Sequence, residues 1–569
     1  MRKTYLLKDF EPRTVLRYFE DICAIPHGTG HEAALRSHIA ELASKYGLSS
    51  EQDEAGNLLV RVPASTGCET APPFLIQGHL DMVLAGEPWV KRDLVKEPVK
   101  LVLEGNILRA DGTTLGADNA VGLCHMMALM ELSREGSSAA ELPGAELSAM
   151  EFSAAKSPAM GFSAAGSSAF RHPPLELLFT VEEESGLTGI RKADLTRIRS
   201  RRMLNMDCGD PDCLVIGAAG GSKYLLSGEF PLLPVCPVGN SNGKTGDKYM
   251  GKTSDTSDKS NGNMEGKTGG KSACKTFSKT DECGLHIEIS GLRGGHSGIE
   301  AGRNRASAVE LTGRLLSALC DRLPVRLSSM ESPPAANSFP RWQKTTLSIP
   351  ASRLDEAKQI LSLTDQSFRR ELAGLEPDYR MLVSACEVSS AASAADTRAL
   401  ADFLLLVPCG ALRRSTDRPD WVLCSALLSS ASFTDGGFKG FFSIRANRDF
   451  YWDAAAQRLD ALCRMAGLEA SLTAEPTPAW VETDHSPLRD LCLTLYRDLF
   501  GQEMRVQVEN GSVEVSVITA AIPDMDAIGF APRSRGAHTT DEHLYLETMP
   551  VFWSLLTALL SRLCDPLES

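Results

Sequence analysis

Five places in this chain pair residue types that can hold a metal ion or move a proton. The first is His79-Leu80-Asp81, which ends the apolar run Phe74-Leu75-Ile76. A histidine at the end of a core strand can turn its imidazole into a cleft. A carboxylate two residues on lies to the same side, where it can hydrogen-bond the other ring nitrogen and fix the tautomer. The second is Asp118 in Gly116-Ala117-Asp118-Asn119, directly before a helical pattern, and the third is Glu182-Glu183-Glu184, ahead of Gly186. The fourth is Asp207, after Met203-Leu204-Asn205-Met206; the fifth is His538, in Gly536-Ala537-His538-Thr539-Thr540-Asp541-Glu542. Standing alone, each has a plain reading: a surface turn, a helix N-cap, a solvated acidic loop, a turn aspartate, a loop histidine. Together they supply two imidazoles and several carboxylates with no cysteine. That donor set suits zinc, manganese or cobalt. Adjacent carboxylates repel unless a cation offsets them. One of the three glutamates could therefore bind metal while its neighbour takes a proton from an activated water. Residue types and spacing reach as far as a dinuclear hydrolase and no further.

The elements that must carry these residues read as alternating helices and strands. Two helices over 14–47 are separated by the turn Ile25-Pro26-His27-Gly28-Thr29-Gly30. Strands are expected near Leu58–Val62, Phe74–Gln77 and Leu175–Thr180, with a helix from Asn119 to Glu131. Further on, Leu285–Ile289 alternates as a strand, and Arg303–Leu323 reads as a helix. A helix opens just after Pro487. Strands near Arg505–Val508 and Ala527–Phe530 follow, and an apolar helix over Met549–Leu563 closes the pattern. The alternation argues an α/β fold.

At 569 residues the chain exceeds what one core can serve, so two or more domains are expected. A formal net charge of −14 argues against a nucleic-acid partner and against attraction to a membrane surface. No apolar run is long enough to span a bilayer, and the first ten residues lack the apolar stretch of a signal peptide. The cysteine count of 15 is odd, and no CxxC pair occurs, which reads as reduced thiols in a cytoplasmic protein.

Two segments break the pattern. Residues 134–170 are Ser/Ala-rich, and Met150-Glu-Phe-Ser-Ala-Ala155 recurs as Met160-Gly-Phe-Ser-Ala-Ala165. Two copies of a decapeptide cannot stack a core, so this reads as an inserted surface segment. Residues 239–280 are rich in Gly, Ser, Thr, Lys and Asn and read as a disordered insertion. Within them, Gly246-Asp-Lys-Tyr-Met-Gly251-Lys252-Thr253 fits a phosphate-loop pattern. It lacks the preceding strand and following helix that a phosphate cradle needs.

A wider set of motifs occurs in order along the chain. It comprises Ile22-Cys-Ala-Ile-Pro-His27, Gly56-Asn57-Leu58, Gly78-His-Leu-Asp-Met-Val83, Gly112-Thr-Thr-Leu-Gly-Ala-Asp-Asn119 and His172-Pro-Pro-Leu-Glu176. It continues with Thr180-x-x-Glu-Glu-x-Gly186, Gly217-x-Ala-Gly-Gly221, Gly294-Gly-His-Ser-Gly298, Asn337-x-x-Pro-Arg341 and His538-x-x-Asp-Glu542. This set resembles the cytosolic aminoacyl-histidine dipeptidases (Xaa-His dipeptidases, PepD-type) of the carboxypeptidase G/dipeptidase family of zinc exopeptidases.

The resemblance implies a zinc-peptidase catalytic domain with a mixed central sheet, formed by about 1–220 and 479–569, and an inserted α+β lid over 221–478. It implies two divalent metal ions, zinc first, with manganese or cobalt compatible. His79 and Asp207 would ligate one metal and Glu184 and His538 the other, with Asp118 bridging. Asp81 would orient His79, and Glu183 would be the general base in hydrolysis of a small peptide substrate. From the lid, His296 would stabilise the oxyanion, while Asn337 and Arg445 grip the substrate. The resemblance leaves open whether His296 acts in its own subunit or across a homodimer. Two departures stand out: Asn510 occupies a position where the subfamily has His, in a run ending at Glu514, and Leu427 one where it has Asn. Both fall in regions expected to shape recognition of a C-terminal His. Two rival readings keep the same residues: an amidohydrolase acting on N-acyl amino acids, and a non-catalytic binding descendant.

Overall fold

The computed structural model describes residues 4–133, 170–236, 281–298, 300–334 and 337–566. The Ser/Ala-rich segment, apart from residue 170, and the 239–280 segment with its phosphate-loop pattern lie outside these residues.

An eight-stranded mixed sheet carries most of the residues singled out above. Its spatial order is Ser49–Gln52, Leu58–Val62, Leu175–Thr180, Phe74–His79, Arg202–Asn205, Asp526–Gly529, Cys213–Ala218, Arg505–Glu509. The strands from Leu175–Thr180 through Asp526–Gly529 run parallel. The outer pairs at Leu58–Val62 are antiparallel. The central strands are buried on both faces, which is why they read as apolar runs and not as alternating patterns. On one face Phe74, Ile76, Phe179 and Leu204 pack with helices Arg13–Cys23, Ala117–Leu132 and Thr548–Arg562. On the other, Leu75, Leu178 and Met203 pack with Val515 and Ile518 of helix Glu514–Ala521.

A second, wholly antiparallel sheet is built from residues 220–472. Its order is Arg380–Cys386, Glu282–Ser290, Gln343–Pro350, Arg326–Glu331, Val422–Thr434, Gly437–Ala446, Gly220–Glu229, Glu469–Leu472, with Gly410–Arg414 added at Val422–Thr434. Helices Ala308–Cys320, Leu354–Glu371, Ala394–Leu406 and Asp449–Ala466 contribute to its separate core, whose buried members run from Tyr224 to Leu468. Simple helix–strand alternation does not anticipate this sheet. The hairpin Val422–Thr434/Gly437–Ala446 is long, and its bulge between Leu428 and Ser430 interrupts the period-two pattern.

Two further differences from the sequence reading appear. A small sheet joins Leu101–Glu104 and Ile107–Ala110 to His543–Tyr545 and Ser534–Arg535, tying the loop around His538 to the segment before Asp118. Cys68 and Cys564 form a disulfide with a Cα–Cα distance of 5.1 Å, so the expectation of reduced thiols throughout does not hold for this pair. The two residues are 496 positions apart and meet only because the closing helix packs beside the loop before Phe74–His79, which spacing arguments cannot see. No helix among the described residues is long and apolar enough to cross a membrane.

Candidate metal centre

The parallel strands end on one side of the sheet, and the candidate residues follow those ends. His79 is the last residue of its strand; Glu183 and Glu184 lie just past Thr180, and Asp207 just past Asn205. Carboxyl ends of parallel strands are where such sheets place ligand sites. Asp118 arrives from the neighbouring loop and His538 from the C-terminal segment.

His79 is buried, and its Nε2 lies 2.9 Å from Asp118 Oδ1 and 3.2 Å from Asp207 Oδ1. His538 Nε2 lies 2.8 Å from Glu184 Oε1 and 3.4 Å from Asp118 Oδ2. Among the described residues, three sets have ligand-type atoms within 4.8 Å of one another: His79/Asp118/Asp207, His79/Glu183/Glu184 and Asp118/Glu184/His538. Asp118 belongs to two of them. It is not the helix N-cap that it resembles in isolation: Gly116 holds that position, and Asp118 has non-helical φ/ψ of −82°/102°.

The charges respond to this crowding. Burial alone lowers the His79 pKa, but the Asp207 charge and hydrogen bonds to Asp118, Asp207 and Asp81 raise it well above the usual imidazole range. Contacts with Asp118 and Glu184 raise His538 to about 11. Burial raises Glu183, with Asp207, Glu184 and Glu514 adding to the effect and His79 opposing it. Burial and the Asp118 charge likewise raise Asp207. Four carboxylates about two imidazoles form a site whose charge favours cations.

Asp81 does more than face His79. The His79 Nδ1 is 3.0 Å from the Asp81 carbonyl and 3.5 Å from its carboxylate. The carboxylate accepts from Glu183 N (3.0 Å), Glu184 N (3.2 Å) and Thr29 Oγ1 (3.0 Å). Glu32 accepts from Glu182 N at 3.2 Å, and Glu182 has a φ of 51°. Buried carboxylates thus hold the backbone of all three consecutive glutamates.

Spacing gave no role to three other residues. Glu542 is buried and accepts from Leu115 N (2.8 Å), Gly116 N (2.9 Å) and Asp118 N (3.2 Å). Burial, with help from the Asp118 charge, pushes its carboxyl up to about 7 against the pull of those N–H groups. Asn119 Nδ2 donates to Asp207 Oδ1 (3.0 Å) and Met206 O. Its amide explains Gly78: a Cβ there would sit 2.5 Å from Asn119 Oδ1. Glu514 is buried, and its carboxylate meets Gln77 and Thr180. The only sequence signal for these residues is a charged or amide residue inside an otherwise apolar or glycine-rich motif.

From the second sheet, Arg445 Nη2 lies 3.3 Å from His296 Nε2, and Arg445 Nε lies 3.4 Å from Ser297 Oγ. Burial, with the charges of Arg445, His538 and Lys223, pushes His296 down to about 3, and burial lowers Arg445 to about 10. Asn337 is exposed; its carbonyl accepts from Ser297 N at 2.8 Å. Asn510 ties the two sheets together. Its Nδ2 donates to Ser425 Oγ (2.9 Å) and Gly298 O (3.2 Å), and a Cβ at Gly298 would lie 2.0 Å from the Asn510 carbonyl. Leu427 is buried opposite Ser443 in the long hairpin.

The model of peptidase family M20/M25/M40 matches residues 158–562. The chain belongs to this family. Among curated proteins, the family member is 25% identical to the cytosol non-specific dipeptidase of Escherichia coli K12 over 558 residues, covering 98% of this chain and 99% of that one. Among solved structures, it is similar to the aminoacylhistidine dipeptidase of Vibrio alginolyticus, with a TM-score of 0.74, 22% identity and 99% coverage of both chains. A tripeptidase of Staphylococcus aureus aligns over 98% of this chain and 99% of its own, with 12% identity and a TM-score of 0.50. The fold is that of the M20 peptidases, and the chain is an enzyme of the metal-dependent peptidase class.

Proposed function

We propose that this chain hydrolyses dipeptides, Xaa-His dipeptides among them, with two divalent metal ions. His79 and Asp207 would hold one ion, Glu184 and His538 the other, with Asp118 shared. One observation carries the reading: two imidazole Nε2 atoms face opposite oxygens of a single carboxylate, His79 at Asp118 Oδ1 and His538 at Asp118 Oδ2. Imidazole nitrogen with carboxylate oxygen suits zinc, and also manganese or cobalt. When bound, such ions supply Lewis acidity toward the scissile carbonyl and lower the pKa of a water.

Glu183 is the proton carrier in this reading. Burial raises its carboxyl, which favours taking a proton from water and giving it to the leaving amine. Its N–H, held by Asp81, fixes where its side chain starts. Arg445 is a half-buried cation beside an imidazole held neutral, an arrangement that suits the carboxylate of a short peptide. His296 then serves the oxyanion and Asn337 the substrate backbone. Residues 1–220 and 479–569 form the catalytic part in this reading and 221–478 the lid, in a cytoplasmic enzyme.

Metal analysis and a panel of dipeptides and N-acyl amino acids on metal-reconstituted protein test the proposal. Two equivalents of metal and turnover of dipeptides are expected. Turnover confined to N-acyl amino acids would transfer the site to amidohydrolase chemistry. Bound metal without any turnover would make the chain a binding descendant.

A further inference from the structure

Three neighbouring parallel strands change character at one level of the sheet. Leu75, Leu178 and Met203 lie in the apolar cluster that packs with helix Glu514–Ala521. Side chains alternate along a strand, so residues two further on return to the same face. Those residues are Gln77, Thr180 and Asn205, all fully buried. Polar side chains buried in this way are costly unless they are hydrogen-bonded.

They are bonded into one network whose acceptor is Glu514, the first residue of that helix. Glu514 Oε2 accepts from Thr180 Oγ1 at 2.6 Å and from Gln77 Nε2 in a short contact. Gln77 Oε1 accepts from Asn205 Nδ2 at 2.7 Å, and Asn205 Oδ1 accepts from Asp207 N at 3.1 Å. Each strand thus contributes one amide or hydroxyl to the network just before it delivers its site residues. His79 lies two positions beyond Gln77, Glu183 and Glu184 three and four beyond Thr180, and Asp207 two beyond Asn205. Hydrophobic residues of like size could fill the same space. A connected polar network instead imposes one relative placement on the groups that it joins.

We propose that Glu514 is a positioning residue that sets the relative placement of the three strand ends carrying His79, Glu183/Glu184 and Asp207. It touches neither metal nor substrate and acts through Gln77, Thr180 and Asn205. This inference rests on the two-metal reading above.

The test uses full-length protein, apo and zinc-reconstituted, with Glu514→Ala, Glu514→Gln and Gln77→Leu. The readouts are zinc affinity by chelator competition, the split of kcat and KM on a dipeptide, and the melting temperature of the apo form. Glu514→Ala should weaken zinc binding about tenfold to a hundredfold, as loss of a group that orients ligands does. It should lower kcat and leave KM near wild type, because the lid grips the substrate. Glu514→Gln keeps an oxygen for Thr180 and Gln77 and should recover most of both losses. Gln77→Leu keeps the core filled but cuts the path to Asn205 and leaves the buried Asn205 Nδ2 without its acceptor; it should lower the apo melting temperature and also weaken zinc binding, and it decides the matter if Glu514→Ala does not fold. Wild-type zinc affinity and kcat in folded Glu514→Ala or in Gln77→Leu, with only the melting temperature lowered, would overturn the inference and leave Glu514 a core-stability residue. A wild-type protein that takes up no zinc, manganese or cobalt would overturn the two-metal reading and this inference with it.

Discussion

Removing the Glu542 side chain should weaken the metal site without touching any proposed ligand. Its carboxylate is the acceptor for three backbone N–H groups, those of Leu115, Gly116 and Asp118, at 2.8, 2.9 and 3.2 Å. A buried donor left without a partner costs about 1–3 kcal/mol. Glu542→Ala orphans three, which sets an upper range of about 3–9 kcal/mol. The space vacated can admit water, which would satisfy one or two of them, so a stability loss of about 2–4 kcal/mol is expected. Glu542→Gln should be milder. Both closer donors go to Oε2, which an amide oxygen can replace, while the Asp118 N–H would then face an NH₂ group. One lost donor gives about 1–3 kcal/mol. Since Asp118 is the shared carboxylate of the proposed centre, its displacement should reach both ions, raising their dissociation constants about tenfold to a hundredfold. Denaturant unfolding of the apo protein and chelator competition on the reconstituted protein measure the two effects separately. The ordering wild type, Gln, Ala is expected in both. A Glu542→Ala protein that binds metal as wild type does would refute the reasoning, whatever its stability.

Glu183→Gln should keep both metals and lose about 10²–10⁴-fold in turnover, the usual contribution of a general base; a wild-type rate would remove Glu183 from that role. His79→Ala should lower the bound metal from two equivalents, and an unchanged stoichiometry by metal analysis would count against its assignment. Glu131→Gln should change the acid sensitivity of the fold. Burial alone raises the Glu131 carboxyl, but hydrogen bonds from Tyr18 and Tyr46 and the Arg17 guanidinium bring it below the ordinary glutamate value of 4.5. A folded-state value below the unfolded one gives stability that is present above about pH 4.5 and is lost as pH falls through the folded value. Unfolding experiments between pH 3 and 7 should therefore show a flatter acid limb for the variant, and identical limbs would show that the network does not favour the charged carboxylate.

The strand ends were legible in the sequence because apolar runs give way to polar residues: Phe74-Leu75-Ile76 before His79, Leu177-Leu178-Phe179 before Glu182, Met203-Leu204 before Asp207. Local periodicity and punctuation suffice for that. What lay beyond reach was everything set by contact between distant segments. Asp118 reads as a cap until the fold puts His79 and His538 on either side of it. Asp81 reads as a partner of His79, whereas most of its hydrogen bonds go to the backbone of Glu183 and Glu184 and to Thr29. Glu542, Glu514 and Asn119 stand inside recognisable motifs, but spacing gives them no role, because their partners are distant along the chain or are backbone atoms. The antiparallel sheet of 220–472 was masked by its bulges, and the Cys68–Cys564 pair by its separation along the chain.

The order of strands explains why the centre depends on the whole chain. Strand Asp526–Gly529 does not lie at an edge; it sits between Arg202–Asn205 and Cys213–Ala218. Those two strands are neighbours in sequence, and the slot between them is filled only by a segment some three hundred residues later. Until that segment arrives, Arg202–Asn205 lacks a neighbour on one side, and His538 and Glu542 are absent from the site altogether. Closing a contact of such separation is slow compared with forming local structure. The intervening 220–472 sheet has its own core and can bury its apolar surface without waiting. Its two ends then leave from one place: Gly221 pairs with Thr477, and Ala218 with Trp480. The returning chain is thereby delivered beside the sheet that it must complete, first at Arg505–Glu509, then through Asn510 against Gly298 and Glu514 against Gln77, and only then at Asp526–Gly529 and His538. On this topology the contacts to the second sheet and to the three strand ends that carry the proposed ligands belong to one short segment, from Asn510 to Glu514, so that segment joins the surroundings of His296 and Arg445 to those of His79 and Asp207.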